Sequence, residues 1–151
     1  MVPVKYEEII AGFRTLQAVD FEYGNNDARG WERLGELTDA LKTLPNPERA
    51  IPEMFAVMER LPDADMGSPG PLVHTLEKLR GYENELVLCV ARCPSTLSVW
   101  MVNRILNSEL TPADRRKYMA LLEQVFVHPK ATEGVRHDAR RFIEYQNGKT
   151  V

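Results

Sequence analysis

Five X-Pro steps, Asn46-Pro47, Ser68-Pro69, Cys93-Pro94, Thr111-Pro112 and His128-Pro129, divide this chain into short segments. Proline has a fixed φ and no backbone N–H, so it fits the first turn of a helix and breaks the interior. Most of the intervening segments carry apolar residues at helical spacing. The pattern predicts many short helices packed side by side.

The first helix is expected from Lys5 to Val19, with Tyr6, Ile9, Ile10, Phe13 and Leu16 as its buried stripe. A turn-forming loop from Asp20 to Asp27 follows, in which Asp27 is placed to cap a second helix marked by Trp31, Leu34, Leu37, Leu41 and Leu44. Asn46 and Pro47 open a third, carrying Ile51, Met54, Phe55, Met58 and Leu61, with Pro52 close to its first turn. Ser68-Pro69 opens a fourth, which Gly81 ends in a left-handed conformation. Leu86 to Ala91 is apolar without clear period; no second strand-like segment exists to pair with it, so it reads as a helix. Ser95 caps a central helix through Asn107, Thr111-Pro112-Ala113-Asp114 starts another, and Thr132 opens the last, with fraying expected after Gln146. The fold class is all-α: about eight short antiparallel helices, stacked as a HEAT- or armadillo-like solenoid or as an irregular helical bundle.

The length of 151 residues fits a single domain spanning 1–151. No apolar run reaches the roughly 18 residues of a membrane span, and the N-terminal residues lack the basic-then-apolar order of a signal peptide, so a cytoplasmic location is expected. Net charge is −3, unevenly spread. Residues 1–75 hold thirteen acidic and seven basic side chains; residues 76–151 hold nine and twelve. An acidic front half suits a basic partner, because complementary potentials speed encounter and orient docking.

Reactive constellations do not emerge. His74, His128 and His137 lie in three separate segments, and Cys89 with Cys93 supplies two thiols on one helix face without a motif for further ligands. Asn147-Gly148-Lys149-Thr150 mimics the end of a phosphate loop but lacks the preceding strand and the following helix. Asp63-Ala64-Asp65-Met66-Gly67 begins like a calcium loop, but His74 stands where the bidentate glutamate belongs. Arg115-Arg116-Lys117 and Lys130 with Arg136, Arg140 and Arg141 gather positive charge near the last two helices, although the pI near 5.7 opposes a nucleic-acid role. The chain therefore reads as a binding protein, not an enzyme, with no cofactor and no metal site.

Gly67-Ser68-Pro69-Gly70-Pro71-Leu72-Val73-His74-Thr75-Leu76-Glu77, then Gly81-Tyr82-Glu83-Asn84-Glu85-Leu86, then Val99 to Asn107, resemble segments of immunity proteins from bacterial contact-dependent growth inhibition and polymorphic-toxin systems. The likeness covers roughly residues 30–146, leaving the Asp20–Asp27 loop outside. It implies a cytoplasmic protein that binds the C-terminal domain of one cognate toxin, commonly a nuclease, and denies it substrate, with no membrane and no direct nucleic-acid contact. A helical interaction scaffold or a nucleic-acid-binding regulator is the alternative.

The resemblance carries no residue-level contact motif, so contact residues are read from charge and expected exposure. Asp20, Glu22, Tyr23, Asp27, Asp63 and Asp65 come first: loop acids with one tyrosine, suited to a partner whose active site must attract a polyanion. Tyr82, Glu85, Trp100, Asn103, Arg104 and Asn107 come second, on a central segment where Asn103, Arg104 and Asn107 share one side of a helix.

Overall fold

The computed structural model describes residues 5–148, so what the sequence leads one to expect of the first four residues and of Lys149-Thr150 falls outside the described part. Among the described residues there are eight α-helices and no strand: α1 Tyr6–Thr15, α2 Gly30–Lys42, α3 Ile51–Arg60, α4 Gly70–Glu77, α5 Tyr82–Arg92, α6 Thr96–Leu106, α7 Pro112–Val125 and α8 Glu133–Gly148. They form a packed all-helical bundle. α1, α3, α5 and α7 touch in succession, α2 packs on α4 and α6 on α8, and the two rows meet through the α1–α2, α3–α4, α5–α6 and α7–α8 pairs. α3 also reaches α6 across the middle. Contacts one or two helices along the chain are the signature of stacked helical pairs.

One continuous apolar cluster runs from Ile9 to Ala139. Phe13, Phe55, Met54, Met58, Leu72, Leu76, Leu86 and Met101 are fully buried in it, which is where the helical stripes of the sequence point. Leu86 and Cys89 lie on the buried face of α5, so the aperiodic apolar run is helical, as expected.

The caps divide into two groups. Ser95 caps α6 in a reciprocal box with Ser98, and Thr111 accepts from the Asp114 N–H at 3.1 Å with Pro112 in the first turn of α7. Both follow the sequence reading. Asp27 does not cap α2: its own N–H is bonded to the Asn25 side-chain oxygen at 3.0 Å, which makes Asn25 the organiser of that turn, and α2 starts three residues later at Gly30. Gly30 is dictated by a close approach, since a Cβ there would lie 2.6 Å from the Asp20 carbonyl oxygen and from the Phe21 ring. α1 stops at Thr15, short of Val19; Leu16 turns extended and a 3₁₀ turn over Ala18–Phe21, held by the Gln17 N–H donating to Asp20 at 2.8 Å, lets both Leu16 and Phe21 enter the core.

Asn46-Pro47 opens a 3₁₀ turn over Pro47–Ala50 before α3 begins at Ile51 with Pro52 in its first turn. No side chain caps α4, which Ser68-Pro69 was expected to open; its loop instead closes on glycine, for a Cβ at Gly67 would meet the Gly70 Cα. α4 itself ends at Glu77, and Gly81, at φ 88°, stands ahead of α5 rather than directly at the end of α4.

Candidate acidic groove and the α6–α8 seam

The 3₁₀ turn after α1 and the loop after α3 come together to enclose a groove of about 590 Å³. Glu22 and Tyr23 form one lip, Asp63 and Asp65 the other, with Phe21, Arg60, Leu61 and Pro62 between them. Four of the six first-choice contact residues, from segments about forty positions apart, thus share one concave surface. Asp20 lies elsewhere, spent on closing the 3₁₀ turn, and Asp27 is exposed but does not line the groove.

The Asp63–Asp65 lip is pinned from four directions. The Pro62 carbonyl accepts from Thr96 N–H at 2.9 Å at the start of α6, and Asp63 accepts from the Thr132 hydroxyl at 2.7 Å just ahead of α8. Trp31 Nε1 donates to the Asp65 carbonyl at 2.9 Å, and the Tyr23 hydroxyl donates to the Asp65 carboxylate. Asp65 also accepts from the Gly67 N–H at 3.2 Å. That hydrogen bond from Tyr23, and then the charge of Asp65, push the Tyr23 phenol above its ordinary pKa. A loop fixed in this way loses little further freedom on binding, and that is what preorganisation contributes to affinity.

Aromatic packing supports the other lip. The Tyr23 and Trp31 rings lie 5.4 Å apart, and Phe21 meets Trp31 edge-on at 5.7 Å. Tyr23 nevertheless keeps 77% of its surface open, and the Glu22 carboxylate meets no cation among the described residues. Arg60 is not a counter-ion for the lip acids, because its Nη2 donates to the Phe13 and Leu16 carbonyls at 3.1 and 2.8 Å and so ties the end of α3 to the end of α1. Three acids against one committed arginine leave the groove negative. Trp31 and Arg60 were missed in the sequence: Trp31 began a core stripe, and nothing local marks Arg60 as the clamp under the groove.

The second-choice residues are held differently. Asn103 is buried and accepts from Gln146 Nε2 at 2.7 Å, and Asn107 accepts from the same nitrogen at 2.9 Å, so these amides bolt α8 onto α6. Arg115 on α7 completes the knot by donating to the Gln146 carbonyl at 3.0 Å. Arg104 makes a two-pronged ion pair with Glu77 at 2.8 Å for each bond, joining α6 to α4, and stacks beyond Trp100 at 5.8 Å. Glu85 pairs with Arg92, which also grips Glu59 on α3. Tyr82 is half-buried, and burial, first of all, pushes its phenol up to about 12. Trp100 is half-buried beside Phe142 and Arg141. Asn103 and Asn107 also line a concavity of about 350 Å³ with Arg141, Phe142 and Tyr145, whereas Tyr82, Glu85 and Arg104 lie outside it.

No group of His, Cys, Asp and Glu side chains among the described residues has metal-site geometry, and none of their helices is long and apolar enough to cross a membrane. Cys89 is buried, which pushes its thiol well above the usual range, and Cys93 is raised in the same way. No family model matches the chain, and no curated protein or solved structure does.

Proposed function

We propose that this protein is an immunity protein, which neutralises the C-terminal domain of a cognate toxin by seating the acidic groove over the toxin's cationic surface. The observation that carries the reading is the joining of Glu22, Tyr23, Asp63 and Asp65 on one pinned, concave surface. A nuclease must concentrate positive potential where it holds its polyanionic substrate. Carboxylates at a fixed spacing imitate phosphates there and steer the encounter, while an exposed tyrosine supplies a rigid anchor at low entropic cost. The resemblance of the Gly67–Glu77, Gly81–Leu86 and Val99–Asn107 segments to immunity proteins supports the same role, in the cytoplasm and without a cofactor.

The test is co-expression with the toxin domain encoded beside this gene, followed by affinity measurement on the purified pair. The reading expects rescue from that toxin and no other, with a nanomolar or tighter Kd. Rescue that survives charge reversal at Glu22 and Asp65 together would move the interface away from the groove. Absence of any toxic neighbour, or turnover of a small molecule by the purified protein, would end the reading.

A further inference from the structure

Outside the groove, a concavity of about 220 Å³ carries mostly positive side chains. It is lined by Phe126 at the end of α7 and by Glu133, Arg136, His137 and Arg140 from the first two turns of α8. Arg136 spends one guanidinium nitrogen on the His128 carbonyl at 2.9 Å and another, at 3.4 Å, on the Glu133 carboxylate, which is itself almost wholly exposed. Its Nε is buried and bonded to nothing. That N–H has no accessible surface, so the donors that Arg136 can turn to a ligand in the concavity are its Nη groups. Arg140, one turn further along the same face, lies 5.8 Å from the Phe126 ring and pairs with no carboxylate among the described residues.

We propose that this concavity binds a phosphate monoester group. Arg140 presents a forked donor to a tetrahedral oxyanion, Arg136 one turn earlier can turn its Nη1 from the long 3.4 Å pair with Glu133 to the same oxyanion, and His137 adds a third polar group at the same wall. A dianion suits two guanidinium groups when the acid in the same lining, Glu133, is a solvated side chain free to swing aside. The volume takes a phosphate with part of the group that carries it, and Phe126 offers that group an apolar floor. The site is independent of the toxin reading, since it shares no lining residue with the acidic groove.

The experiment is a titration of isotope-labelled protein with inorganic phosphate at constant ionic strength, following the side-chain Nε–H signals of Arg136 and Arg140 by NMR. Sodium acetate and sodium chloride are the controls, and phosphoserine and a nucleoside monophosphate serve as carriers. Saturable shifts confined to the Phe126 and Glu133–Arg140 region are expected with phosphate, and Arg140→Gln should weaken them about tenfold while leaving Tm unchanged, because Arg140 is exposed and makes no ion pair. Tighter binding of either carrier supports the site and identifies the group attached to the phosphate. Non-saturating shifts, shifts equally large with acetate, or an Arg140→Gln protein that binds as well as the parent would overturn the proposal.

Discussion

Trp31 Nε1 donates to the backbone carbonyl of Asp65 at 2.9 Å, joining the start of α2 to the loop after α3. Because the acceptor is the backbone, this bond sets where the loop runs, whereas the Tyr23 hydroxyl on the Asp65 side chain sets where its charge points. The groove owes its shape to the first and its electrostatics to the second.

Trp31→Phe keeps an aromatic ring beside Phe21 and Tyr23 and removes the N–H together with part of the indole. A stability loss of about 1 kcal/mol is expected in chemical denaturation, together with faster amide hydrogen exchange over residues 62–67. If exchange there is unchanged, the indole does not hold the loop.

Charge reversal separates groove acids from bystanders. Glu22→Lys should weaken binding of the cognate toxin domain by at least about tenfold with nearly unchanged thermal stability, since Glu22 is exposed and meets no cation among the described residues. Asp27→Lys, outside the groove, should change affinity far less. Equal effects from the two, read by titration calorimetry, would mean that only net charge matters.

Gln146 is wholly buried and bridges Asn103 and Asn107. Gln146→Leu should cost about 1–3 kcal/mol by leaving the Asn103 amide buried without its partner. Adding Asn103→Leu should recover part of that loss, because two apolar groups facing each other carry no unmet polar demand. Losses that simply add in a double-mutant cycle would show that the bridge contributes nothing.

Alkaline pH should destabilise the fold through its buried phenols and thiol. Burial holds the Tyr82 phenol at about 12 and also raises Tyr118 and Cys89. Between about pH 10, where an unfolded phenol ionises, and the folded value, the native chain keeps a proton that the unfolded chain has lost. Stability is therefore complete below the unfolded pKa values and falls as pH rises through that window. Tm should decline from about pH 9 upward, with Tyr82 ionising late in a near-ultraviolet titration; a Tm that is level up to about pH 11 would refute the assignment.

The existence of the helices was legible along the chain. Apolar spacing in Tyr6–Leu16, Ile51–Leu61 and Tyr118–Phe126 and the proline and hydroxyl signals at Ser95 and Thr111 are local, and local sterics and capping bonds act within a few residues wherever the chain goes. Even so, Asp27 and Ser68 had cap-forming side chains in plausible places and do not cap, since burying Phe21 against Gly30 and closing the Gly67–Gly70 loop set those boundaries. What each exposed or amide side chain does was decided only by the tertiary structure. Asp20 and Glu22 look alike along the chain, yet one closes a turn and the other edges a groove; Asn103 and Asn107 share one side of a helix, and only the fold brings Gln146, some forty residues away, to bridge them. Periodicity fixes which face of a helix is wet or dry, but a groove and a buried amide bridge exist only when helices from distant parts of the chain meet, and no local interaction encodes that meeting.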